Sequence, residues 1–145
     1  MSTATTHKGY SAAIATILGT ELNSLANGSA SSASSAVDNT SALDLFADLT
    51  FTVATQGSSR STGATVSIFM VMALDGTNYD DVSATTAELV AVFPLDAATT
   101  GRQATRRDVP IPPGLFKLFA VNNTGQAFAS SGNLLEYRFH SVLST

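Results

Sequence analysis

The chain has 145 residues, long enough for one domain that buries roughly 68–70% of the surface its unfolded form exposes. Apolar residues make up 44% and charged residues only 12%, about half the ~25% of ordinary soluble domains, so the surface is either neutral and Ser/Thr-rich or covered by partners. A net charge of −4 without a basic stripe argues against a nucleic-acid partner, and the absence of cysteine rules out disulfides, thiolate metal sites and thiol nucleophiles.

Residues 1–42 carry three charged side chains, Lys8, Glu21 and Asp38, and read as an extended N-terminal arm. The patch AAIATIL lacks the layout of a signal peptide, and SAAIATI reads as a strand or an extended stretch. In GTELNSLANG, Thr20 is placed to cap a short helical turn, Leu22 and Leu25 share a face, and Asn27-Gly28 is a stop. Ten of the fourteen residues from 29 to 42 are Ser or Ala. Such a run buries too little apolar surface to offset the roughly 1–2 kcal/mol per residue of backbone ordering. It is either a flexible linker or a surface on which another backbone lies closely. The expectation is that residues 1–42 contact mainly other chains, and that residues 43–145 fold without residues 1–28. No internal repeat stands out.

From residue 43 the apolar period becomes two. In LDLFADLTFTV, Leu43, Leu45, Ala47, Leu49, Phe51 and Val53 share one face, as in a half-buried strand. TVSIFMVMAL places Val66, Ile68, Met70, Met72 and Leu74 on one face, with Phe69 and Val71 on the other, so both faces are covered. This apolar stretch is too short to span a bilayer, and no membrane partner is expected. DGTNYDD is a hairpin loop, ELVAVFPL a strand ending at Pro94, GRQATRR a loop and VPIPPG an extended corner. LFKLFAVNN and LLEYRFHSVL close the chain as strands. Short strands between Gly, Pro and Asn turns predict an all-β fold: an antiparallel β-sandwich, jelly-roll-like or Greek key, over residues 43–145.

Chemistry is sparse. His7 and His140 have no evident partner cluster, and both read as structural. Asp75, Asn78, Asp80 and Asp81 are hard oxygen ligands, but they lack the order of a calcium loop. Glu88 and Glu136 are the carboxylates a glycosidase pair would need, with no spacing that unites them. Arg102, Arg106 and Arg107 read as a solvated or interface patch. Asn27, Asn39 and Asn122 begin glycosylation triplets of the kind a Ser/Thr/Asn-rich chain produces by chance. No catalytic, cofactor-binding or metal-binding residues are assigned, and an enzyme is not expected.

The segments TELNSLANGS, LDLFADLTFTV, SIFMVMALDGTNYDD and DVPIPPGLFKLFAVNNTGQAFASSGN resemble a group of small virion structural proteins of tailed bacteriophages. The resemblance covers most of residues 17–133. It implies a capsid decoration (cement) protein on the virion surface, without cofactor. It also implies that the protein binds the major capsid protein and itself, as a homotrimer, and bridges capsomers. The alternatives are a tail or baseplate component, or a cell-surface or carbohydrate-binding module. The last would need grouped exposed aromatics, for which Tyr79 is the clear candidate.

Overall fold

The computed structural model describes residues 5–144. Nine strands form: β1 (Thr5–Lys8), β2 (Ala15–Leu18), β3 (Val37–Asp38), β4 (Phe46–Val53), β5 (Thr65–Ala73), β6 (Glu88–Pro94), β7 (Arg102–Pro110), β8 (Leu115–Asn123) and β9 (Leu134–Ser144). One sheet has the order β1-β9-β4-β7, with β2 also lying along β9; the other has the order β3-β8-β5-β6. Every pairing is antiparallel. If β1 and β2 are counted as one strand position, successive strands alternate between the sheets except at the β5–β6 hairpin, which is the order of an eight-strand jelly roll. The expected all-β sandwich is therefore the fold.

Alternation explains the layers. Ala47, Leu49, Phe51 and Val53 of β4 are buried, while Asp48, Thr50 and Thr52 are half exposed on the outer face. Val66, Ile68, Phe93, Phe116, Leu118 and Leu135 meet them between the sheets. Each fully buried side chain of this size contributes roughly 1.5–3 kcal/mol relative to exposure. The void among Leu49, Met70, Phe116 and Phe139 measures about 10 Å³, too small for a substrate.

Three expectations need correction. Leu43 and Leu45 do not continue the inward row of β4; both are exposed, and Leu43 has a positive φ of 51° in the preceding loop. Along β5 Val71 is buried on the second face, as expected of a strand covered on both sides, but Met72 and Leu74, at the lower end of the inner row, are exposed. GRQATRR is a strand and not a loop. It pairs with β4 as the sheet edge, where exposure of both faces along most of its length erases the apolar alternation that marks a strand.

The Ser/Ala run finds its partner surface within the chain. β2 pairs with β9, and Leu18 and Leu22 are fully buried in the core. The short helical turn is a 3₁₀ turn, Thr20–Leu22. Thr20 does not cap it: the preceding residue is Gly19, whose N–H donates to the Glu21 carboxylate at 2.8 Å. Residues 28–38 then run along the outer edge of β8. Ser31, Ser34 and Val37 are buried and lie opposite Ala120, Leu118 and Phe116, three residues of the arm for every two of β8. At each serine the backbone N–H donates to the facing carbonyl, at 2.8 Å for both Ala120 and Leu118. Its Oγ accepts from the same residue's N–H, at 3.0 Å from Ala120 and 3.1 Å from Leu118. Each hydroxyl proton goes to the next carbonyl, Ser32 or Ser35. SSASSA is thus a two-unit repeat, with one unit per contact, missed in the sequence because it is only six residues long. The hydroxyls replace ladder partners that a coiled, three-residue period cannot offer, and alanine leaves room for the close approach.

Candidate functional site

The two ends of the sandwich differ in chemistry. The upper end carries the loops 54–64, 95–101 and 124–133. Arg60, fully buried, donates to the Asp96 carbonyl at 3.0 Å, the Asp96 carboxylate at 2.7 Å, Gln56 Oε1 at 3.0 Å and the Thr100 carbonyl at 3.0 Å. Asn122, also fully buried, donates to the Leu25 and Gln126 carbonyls and accepts from the N–H and hydroxyl of Thr124. Asn133 joins Ala54 to Ala129. Gly125 is required here: its φ is +83°, and a Cβ would stand 1.9 Å from Ser61 Oγ.

The lower end carries the loops 39–45, 74–87 and 111–114. Its frame is also polar. Asn39 is fully buried; its amide donates to the Asp44 and Pro112 carbonyls and accepts from the Asp44 N–H. The Asp44 carboxylate accepts from Ser11 and Ser141. Outside this frame, large apolar side chains face solvent: Leu43, Leu45, Met72, Val82 and a fully exposed Leu74. Among the described residues, none of the exposed large apolar side chains belongs to the upper loops. Single exposed leucines are ordinary, but their collection at one end is not.

The residues singled out in the sequence scatter. Asp75 spends its carboxylate on its own turn, accepting from the N–H groups of Thr77 and Asn78 and the Asn78 amide, which hold it below the usual carboxylate range. Asp80 and Asp81 are exposed in the same loop. Tyr79 has the Lys117 ammonium 4.1 Å over its ring, so that face is not free for a sugar. Glu88 and Glu136 lie in different sheets. Arg102 pairs with Asp96 and Arg106 donates to the Val92 carbonyl at 2.7 Å, while Arg107 is exposed, so the three do not form one patch. Asn39 and Asn122 are buried and hydrogen-bonded, and Asn27 accepts from the Gly125 N–H. His7 lies in β1 opposite Val142, and its side chain is outside the described residues.

His140, read as structural, has partners that the sequence did not reveal. On the outer face of the first sheet its Nε2 lies 3.2 Å from Asp48 Oδ1 and 3.3 Å from Asp108 Oδ1. Phe46 stacks on the imidazole and Tyr10 meets it edge-on. The Tyr10 hydroxyl donates to Asp48 Oδ2 at 2.7 Å, and the Asp108 N–H donates to Asp48 Oδ1 at 3.0 Å. Burial pushes the Asp48 carboxyl up, but these hydrogen bonds and the imidazole outweigh it and hold the group below the usual range. The same contact raises the Tyr10 hydroxyl. Asp108 sits at a β-bulge between β4 and β7 with a φ of +54°. Cross-strand register alone unites positions 48, 108 and 140, and register is not readable from spacing in one chain.

Among the described residues, no helix is long and apolar enough to cross a membrane. Comparison with models of known protein families finds none that matches, and comparison with curated proteins finds none either. The protein is a jelly-roll β-sandwich whose lower end exposes apolar side chains.

Proposed function

We propose that the protein is a structural component of a tailed-bacteriophage particle, a decoration protein that binds the outer surface of the major capsid shell and bridges capsomers as a homotrimer. The observation that carries this reading is the gathering of Leu43, Leu45, Met72, Leu74 and Val82 at the lower end, on a frame already satisfied by Asn39 and Asp44. An apolar surface on a rigid polar frame suits docking on another protein without rearrangement. The segment resemblance supplies the particle, and the jelly roll supports it only by analogy, since that architecture serves shells and lectins alike.

Such a protein acts through binding energy. A site held at 100 times its dissociation constant adds about 2.7 kcal/mol to the state that is bound, and many sites act on one shell. Apolar contacts make the binding only weakly salt-dependent, because screening acts mainly on exposed charges. The test uses shells stripped of the protein. Adding it back should raise their rupture temperature, and Leu74→Ser should weaken that rescue. Shells that neither bind it nor gain stability would overturn the reading in favour of a tail or baseplate location.

A further inference from the structure

We propose that Asp48, Asp108 and His140 form a binding site for a divalent first-row transition-metal ion. The ligand atoms come from three adjacent strands, β4, β7 and β9, and lie within 4.8 Å of one another. Their spacing is the first argument. A charge-assisted hydrogen bond between a cation and a carboxylate closes to about 2.7–2.9 Å. Elsewhere in this chain it does: Arg60 and Arg102 each donate to Asp96 at 2.7 Å. The His140 imidazole makes no contact that short; its Nε2 is hydrogen-bonded to Asp48 Oδ1 at the long end of the ordinary range. It stays 3.2 Å from one carboxylate and 3.3 Å from the other. With metal–ligand bonds of about 2.1 Å, neighbouring ligands stand about 3.0 Å apart in an octahedron and about 3.4 Å apart in a tetrahedron. The two distances fall in that interval.

The imidazole is also held in place by its surroundings. His140 is nine-tenths buried, on the face of a sheet where alternate residues are half exposed. Phe46 and Tyr10 lock its ring plane, with centroids at 5.6 and 5.8 Å, so that Nε2 faces both carboxylates. Tyr10 also fixes the Asp48 carboxylate through Oδ2 and leaves Oδ1 turned toward Nε2, the outer-sphere support that metal-ligating carboxylates receive. The nearest guanidinium of β9, Arg138, is occupied by the Ala12 carbonyl and the Tyr10 ring. The Asp108 side chain is 64% exposed, so water completes the coordination from that side. One imidazole with two carboxylates suits Zn²⁺, Mn²⁺ or Co²⁺ better than Ca²⁺, which prefers six to eight oxygens at longer distances. A bound ion would tie the bulge of the edge strand β7 to β4 and β9.

The full chain, dialysed against chelator, is titrated separately with Zn²⁺, Mn²⁺ and Co²⁺ while its thermal unfolding is followed, with Ca²⁺ as control. The same titrations are run on Asp108→Asn, which keeps the exposed position and a residue type that tolerates positive φ. At least one of the three ions should raise Tm saturably, Co²⁺ should develop visible absorption bands on binding, and Asp108→Asn should bind at least about tenfold more weakly. No saturable change up to millimolar metal would overturn the proposal, and so would unchanged affinity in Asp108→Asn, which would place the ion elsewhere.

Discussion

The upper and lower ends of this sandwich are made from the same kind of material, loops rich in Ser, Thr, Asn and Gly, yet they reach solvent differently. At the upper end the polar side chains point inward and close the barrel of loops around Arg60, Asn122 and Asn133. At the lower end Asn39 and Asp44 do the same work near the axis, and the leucines are left outside. The lesson is that stability and interaction are separated in space. Buried amides satisfy loop backbone that would otherwise be orphaned, and this frees the apolar residues of the lower loops from any duty in the core.

The largest test of this division is removal of residues 1–28. The sequence suggested a dispensable arm, but Leu18 and Leu22 fill the core beneath the upper loops. Losing two buried leucines costs about 2–5 kcal/mol each, together a large share of the roughly 5–15 kcal/mol of a typical domain. The truncated chain should lose its cooperative unfolding transition in calorimetry. Next comes Asn122→Ala, which leaves the buried Thr124 N–H without its acceptor and takes one of two donors from each of the Leu25 and Gln126 carbonyls. It should lower stability by about 3 kcal/mol, seen as a lower urea midpoint at unchanged slope.

A smaller effect is expected along the edge of β8. Ser34→Ala leaves the Leu118 N–H, now bonded to Ser34 Oγ, without its acceptor and should cost about 1–2 kcal/mol. Ser32→Ala, at an exposed position of the same repeat, should change stability by less than about 0.5 kcal/mol. Equal effects at the two positions would show that the run is a spacer.

The upper end also predicts an acid response. Hydrogen bonds from Arg102 and Arg60 hold the Asp96 carboxyl at about 2, against an ordinary value of 3.8. A folded-state value below the unfolded one stabilises the fold above pH 3.8, and the contribution disappears as the pH falls through about 2. Asp96→Asn should therefore flatten the acid limb of a stability–pH curve between those values while leaving its shape near neutrality unchanged. The smallest expected effect lies at the other end. Leu74→Ser removes a fully exposed side chain and should leave Tm within the error of the measurement, while weakening the shell attachment we propose. A clear loss of Tm would mean that Leu74 supports the fold and would erase the distinction between the ends.

The sequence alone determined the all-β class and the inner rows of β4 and of β5 as far as Met70, because alternation reports which side of a strand is apolar wherever one sheet face is buried. It also located the turn at Asp75-Gly76, whose chemistry is local. What only the tertiary structure decided was non-local. β7 was illegible because an edge strand is wetted on both faces of its side chains. The Ser/Ala run was illegible because its order comes from the N–H groups and carbonyls of Ala120 and Leu118, more than eighty residues away in sequence. The meeting of Asp48, Asp108 and His140 depends on the register of three strands and on a bulge, and register is set by the summed packing of the whole core rather than by any residue near those three.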